Sequence, residues 1–259
     1  MSSPARRAIA VATITLVRDP QEESWLRRSM IALSGLGLPV MVTDGGSGAD
    51  FAEFLRRLPH VTVTTAAGRG LVGQVRASLS ACAQLGAQFI LYTEPDKLAF
   101  FEQDLLSFID RAPLNNDVGV VIAGRSKAGF ESFPLFQQSS EGTINRLCSE
   151  LFDLPGDYFY GPCLVHRKLV PYFDRLTAEI GWGWRPFIFA VSHRLGLRLA
   201  HVTGDYACPA DQREEGETER LHRLRQLGQN VSGLLLGMTT PLERTTDYVP
   251  AASRLNSAT

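Results

Sequence analysis

Apolar residues along this chain fall into short blocks that alternate between two periods. Ile9–Val17, Val40–Thr43, Val61–Thr65, Phe89–Tyr92 and Val118–Ile122 are runs rich in β-branched and aromatic residues, as strands buried on both faces require. Between them apolar positions recur three and four apart: Leu26, Met30 and Leu33; Phe51, Phe54, Leu55 and Leu58; Val72, Val75, Leu79 and Cys82; and a block around Phe101–Ile109. These spacings predict helices. The first has a start signal in Asp19 as cap, Pro20 in the first turn and Glu22 at the capping-box position. Pro59 ends the second. Strands alternating with helices predict an α/β fold with a mostly parallel sheet covered on both faces.

The second half is less regular. Lys127–Thr143, rich in Ser, Gly, Gln and Phe, has no clear period and reads as a loop, expected to be mobile without ligand and to order over it. Arg146–Phe152 reads as a helix, Tyr158–Val165 as a strand, Leu169–Leu176 as a short helix, Pro186–Leu195 as a helix and Leu197–Val202 as a strand. Glu214–Leu236 predicts a long amphipathic helix with Leu221, Leu224, Leu227, Val231, Leu234 and Leu235 on one side. The last ten or so residues are small and polar and are expected to fray. The division expected is residues 1–125 as a regular α/β half and 126–259 as a second half of the same domain, closed by the long helix.

Composition narrows the function. The 259 residues carry 26 Lys and Arg against 27 Asp and Glu, a net charge of −1, so no basic excess is present to grip a nucleic-acid backbone. Four cysteines (Cys82, Cys148, Cys163, Cys208) stand apart without a C-x-x-C pair, which argues against a zinc site or a disulfide framework. No run is long and apolar enough to span a bilayer. The apolar start behind Arg6 and Arg7 is β-branched and lacks a small-residue cleavage site, so it reads as a first strand rather than a leader. The expected compartment is the cytoplasm, with reduced thiols.

Three short motifs carry the candidate chemistry. Thr93-Glu94-Pro95-Asp96-Lys97 follows a buried strand, and carboxylates at i and i+2 on extended backbone point to one side, as a hard divalent cation requires. Asp44-Gly45-Gly46-Ser47 follows another strand, on the same edge of a parallel sheet. Gly68-Arg69-Gly70 opens a long helix whose N-terminus attracts phosphate, with Arg76 further along. Taken singly, each also fits an ordinary turn or a surface arginine. Neither a Walker loop nor a dinucleotide fingerprint is present.

In order and spacing, these motifs resemble the GT-A glycosyltransferases, particularly family 2-like members. That family shows a D-G-S-x-D turn, a G-x-x-x-A-R-N-like helix start and an aspartate-any-aspartate motif. Here they read Asp44-Gly45-Gly46-Ser47, Gly70-Leu71-Val72-Gly73-Gln74-Val75-Arg76 and Glu94-Pro95-Asp96. The resemblance covers residues 8–125 well and 140–208 loosely. It implies a nucleoside-diphosphate sugar as donor, touched by Thr15, Asp44, Gly45, Gly70, Arg76 and Glu94, with Mg²⁺ or Mn²⁺ held by Glu94 and Asp96. His201 is the candidate third metal ligand, with Asp205 and Asp211 as rivals. Trp182, Trp184, Arg185 and Tyr160 are the acceptor-side candidates, the acceptor being a small molecule or glycan.

Related enzymes place an acidic pair where Gly181-Trp182-Gly183-Trp184-Arg185-Pro186 has no carboxylate. Glu179 is the local substitute for a base. Retention needs no such base, because the departing phosphate takes the proton while a cation such as Lys97 and the metal at Asp96 stabilise its charge. The leaning is therefore to retention, as in the similar soluble enzymes of the mannosylglycerate-synthase type that glycosylate small acids, where Arg185 would hold a carboxylate. A non-catalytic nucleotide-sugar binder and a nucleotidyltransferase are the alternatives, and a homodimer is left open.

Overall fold

The structure, a computed structural model, describes residues 9–66 and 70–242. Seven strands form one sheet: β1 (Ile9–Thr15), β2 (Val40–Asp44), β3 (Val61–Thr64), β4 (Phe89–Tyr92), β5 (Val118–Arg125), β6 (Cys163–His166) and β7 (Arg198–Gly204). Their order is β3-β2-β1-β4-β6-β5-β7. β6 runs antiparallel to both neighbours, and the other pairs are parallel. The five strands expected in the first half are all present. β6 is shorter than the expected Tyr158–Val165, because Tyr158 N–H is spent on Asn145 Oδ1 and Gly161 turns at φ +132° before Pro162.

The helices are α1 (Pro20–Ser34), α2 (Ala49–Arg57), α3 (Gly70–Gln84), α4 (Leu98–Gln103), α5 (Leu105–Arg111), α6 (Lys127–Glu131), α7 (Leu135–Phe152), α8 (Trp184–Arg194) and α9 (Glu217–Thr239), with 3₁₀ turns at Arg167–Arg175 and Ala178–Gly183. Asp19 caps α1 by accepting the Glu22 N–H at 2.8 Å. One face of the sheet packs Val72, Val75, Leu79 and Cys82 of α3 with Ile144, Cys148, Phe187 and Ile188. The other packs Leu26, Met30, Leu33, Phe51, Leu55 and Phe108. α9 lies directly on the 3₁₀ turn: a Cβ on Gly233 would sit 1.9 Å from the Gly183 carbonyl oxygen. Among the described residues, no helix is long and apolar enough to cross a membrane.

The loop expected over Lys127–Thr143 is instead two helices. Ser126 caps α6, its Oγ accepting the Gly129 N–H at 3.1 Å. α7 begins after Pro134 and runs to Phe152. Its inner face holds Gln137, Ser140, Ile144, Asn145, Cys148 and Phe152 at helical spacing, but three of those six are polar. A hydrophobic period alone does not reveal such a helix. The fraying expected of the last residues concerns positions outside the described ones.

Candidate active site

The chain runs outward through β1, β2 and β3, then returns to place β4 on the other side of β1. Open α/β sheets bind ligands in the crevice at such a reversal, beyond the carboxyl ends of the strands. Ala12 pairs with Tyr92, so Thr15 and Glu94, three and two residues further on, end side by side.

On the β2 side, Thr15 Oγ1 donates to Asp44 Oδ1 at 2.8 Å. Asp44 also accepts from Gly46 N at 3.0 Å, Ser47 N at 2.7 Å and Ser47 Oγ at 2.6 Å, so its own turn fixes the carboxylate. Gly45 lies against α3, where a Cβ would meet Gln74 Nε2 at 2.3 Å. Gly70 opens α3 at φ +72°, and Arg76 comes within 3.9 Å of Asp174. Gly68, Arg69 and the side chain of Asp211 lie outside the described residues.

On the β4 side, Glu94, Asp96, Lys97, Tyr160, Trp182 and Arg185 line one cavity of about 110 Å³. Ser29 of α1 donates to the Pro95 carbonyl and pins the turn. Gly161 passes so close to Glu94 that a Cβ would meet its Oε2 at 2.5 Å. The Arg185 guanidinium pairs with Glu94 and lies 4.8 Å from the Trp182 ring centre and 5.6 Å from that of Tyr92. Burial brings the Arg185 pKa down to about 10, which leaves it a cation at neutral pH. Lys97 Nζ donates to Asp96 Oδ2 at 3.1 Å and sits 5.3 Å from the Tyr160 ring centre. Burial pushes the Tyr160 hydroxyl far above its ordinary range, helped by Asp96.

The far wall of the cavity was not legible in the sequence. α7 contributes Gln137, Ser140 and Glu141, and α9 contributes Arg223, Gln226 and Asn230. Behind them Arg125 ends β5 in a bidentate pair with Asp157 (2.6 and 2.9 Å) and reaches Glu141 at 2.5 Å. Burial opposes the Asp157 charge, but these Arg125 bonds prevail and hold its carboxyl below the usual range. Polar residues at helical spacing were the available signal, with Gln137 and Glu141 bonded at i and i+4 at 2.8 Å.

Three expected residues stand elsewhere. His201 is on β7, with β6 and β5 between it and β4. Its ring packs 4.6 Å from Tyr158, and a Cβ on Gly156 would overlap it, so this histidine is a packed strand residue away from the carboxylates. Burial lowers its pKa. Trp184 is fully buried, edge-on to Tyr92 at 4.7 Å, and belongs to the core. Glu179 is exposed, bonded to Thr177, and does not line the cavity. Of the rivals to His201, Asp205 neighbours Asp104, whose carboxyl burial and then Asp205 push up.

Among the described residues no three His, Cys, Asp or Glu side chains converge as a ligand set. The carboxylates nonetheless fit a small hard cation. Apart from the Arg185 contact, both Glu94 oxygens and Asp96 Oδ1 are buried without a hydrogen-bond partner. Mg²⁺-like ions need only one or two carboxylates when substrate phosphates and waters complete the shell.

No protein-family model matches the chain, and no curated protein matches it in sequence. Solved structures match it in shape. Glucosyl-3-phosphoglycerate synthase from Mycobacterium tuberculosis, in complex with Mn²⁺, UDP and glucosyl-3-phosphoglycerate, superposes with a TM-score of 0.60 at 15% identity, over 92% of this chain and 84% of that one. The same enzyme with Mn²⁺, UDP-glucose and phosphoglyceric acid gives 0.58 at 15% identity, over 92% and 82%. Seven strands in a mostly parallel sheet, a reversal at β1 and β4, and this similarity of shape assign the chain the GT-A fold.

Proposed function

We propose that this protein transfers a sugar from a nucleoside-diphosphate sugar to a small anionic acceptor, with a divalent cation, Mg²⁺ or Mn²⁺. The observation that carries this reading is a pair of carboxylates at the exit of β4, in one cavity with Lys97 and Arg185: Asp96 Oδ1 and Glu94 Oε2 are buried with no hydrogen-bond partner, while Glu94 also pairs with Arg185 and Asp96 with Lys97. Asp96 and Glu94 would hold the cation, which supplies charge stabilisation to a departing diphosphate. Thr15, Asp44 and Gly45 receive the nucleoside end. The helix start at Gly70, with Arg76 beyond it, faces phosphate with the positive end of its dipole. Lys97 is placed to take up charge on the leaving oxygen.

The acceptor side is Tyr160, Trp182 and Arg185 with Gln137, Arg223, Gln226 and Asn230. Asn230 Oδ1 and Arg223 Nε are buried without partners and are open to a ligand. Both Glu141 oxygens are engaged, by Arg125 and Gln137, and Glu179 lies outside the cavity. A base for inversion is thus missing among the lining carboxylates, and this supports retention, with the departing phosphate taking the acceptor's proton. The four cysteines are free and buried, in keeping with a reducing cytoplasm.

Calorimetry with UDP, GDP and their sugars, with and without Mn²⁺, tests the reading. We expect one nucleotide to bind only with the metal. Failure of every nucleoside diphosphate to bind with metal present would overturn it.

A further inference from the structure

α9 has two working faces: Arg223, Gln226 and Asn230 look into the cavity, and Gly233 rests on Gly183. A third face is bare. Leu221, Leu224, Val231 and Leu235 are 48%, 51%, 42% and 65% exposed, whereas α1 buries both of its leucines, Leu26 and Leu33. With Gly228 they are spaced three, four, three and four apart, the seam period of a helix pair. α7 widens the patch. Its Phe136 lies beneath Arg220 of α9, and exposed Leu147 falls three turns further along the same side of α7, with exposed Leu151 one turn beyond.

We propose that this face joins two copies of the chain, α9 against α9, antiparallel across a two-fold axis at Gly228. Gly228 is the midpoint between Leu221 and Leu235, so such an axis sets each against the other in the partner. A Cβ at 228 would meet nothing within 4 Å in the single chain, so the glycine answers no need inside it and leaves room for a second helix to approach. Charge selects the antiparallel sense. The first half of α9 carries Glu217, Glu219, Arg220, Arg223 and Arg225, while residues 230–239 carry no charged side chain. A parallel pair would set Arg225 against its own copy. The antiparallel pair sets the charged half against the uncharged half and opposes the helix dipoles. A stable dimer buries about 800 Å² per partner, more than one helix seam supplies, and Leu147 and Leu151 extend it.

The test is light scattering on the full chain at 1–100 μM, together with cysteine cross-linking. We expect twice the 28.4 kDa monomer mass. L224E/V231E should run as a folded monomer, its fold checked by circular dichroism and its melting temperature. Facing helix backbones leave Cα atoms roughly 3.5–5.5 Å apart, within disulfide reach. G228C should therefore cross-link to its own copy under a mild oxidant, whereas L221C should cross-link only when mixed with L235C. The four native cysteines are buried and do not compete. A wild-type monomer throughout this range overturns the proposal, as does a dimer that survives L224E/V231E. Efficient self-cross-linking of L221C would overturn the antiparallel sense, and a monomer that pellets with lipid vesicles would assign the face to a membrane.

Discussion

His166 makes stability depend on pH in a way that can be worked out. It ends β6, 2% exposed, with its ring edge-on to Phe89 at 4.9 Å. Its Nδ1 accepts the Lys168 N–H at 3.1 Å, a bond available only to an imidazole unprotonated at that nitrogen. Burial, with Lys168 and Arg167 nearby, lowers its pKa from 6.5 to about 4. The unfolded chain therefore takes up this proton first as pH falls. Stability is full above pH 6.5, is lost between 6.5 and about 4, and levels off below. From pH 7 to 4.5 the loss integrates to about 2 kcal/mol. Urea melts at both pH values measure it, and H166N, whose Oδ1 takes the place of Nδ1 and can still accept the Lys168 N–H, is the reference that removes carboxylate contributions. We expect wild type to lose about 2 kcal/mol more than H166N over this range. Equal losses would refute the reasoning.

Asp96→Ala should abolish Mn²⁺-dependent nucleotide binding in calorimetry while the protein stays folded, and Glu94→Ala should weaken it less because Asp96 can still hold the cation. Glu179→Gln should leave turnover within about twofold, and proton NMR of the first product from an α-linked donor should show an α linkage; a β linkage would restore Glu179 as a candidate base. Gly233→Ala should cost at least about 2 kcal/mol in urea melts, since the added methyl meets the Gly183 backbone rather than a side chain that can move. Amides of Leu135–Thr143, the first half of α7, should exchange slowly even without ligand, in contrast to the loop that its sequence suggests.

What was legible in the sequence follows from how strands and helices advertise themselves. β1, β2, β4 and β5 are buried on both faces, so their residues form apolar runs interrupted in the middle by little more than a threonine or a glycine. α3 faces only the core with Val72, Val75, Leu79 and Cys82. The second half of α7 was legible as the helix Arg146–Phe152, but its first half escaped notice because its inner face is shared between the core and a polar cavity, which places Gln137 and Ser140 where a leucine would have marked the helix. Arg125 was missed for a related reason, since β5 continues three residues past its apolar run into a buried ion pair. The Glu94 and Asp96 turn was legible because chemistry at a strand exit is local. A third ligand or an acceptor wall is assembled from distant segments, and spacing alone gave no sign that His201 and Trp184 pack inward.

The antiparallel β6 also has a consequence for how the protein is made. It sits between β4 and β5, so one half of the sheet reaches the other only through it. Cys163 leaves the ribosome about seventy residues after Tyr92. At roughly 5–20 residues per second, the β4 edge waits about 4–14 s for its partner, with β5 already made and lacking both of its own. Through that interval the nascent chain shows an open apolar edge of the kind that seeds aggregation. Slowing initiation, which spaces the nascent chains further apart, should therefore raise soluble yield, and a fragment stopped at residue 125 would keep that edge open permanently.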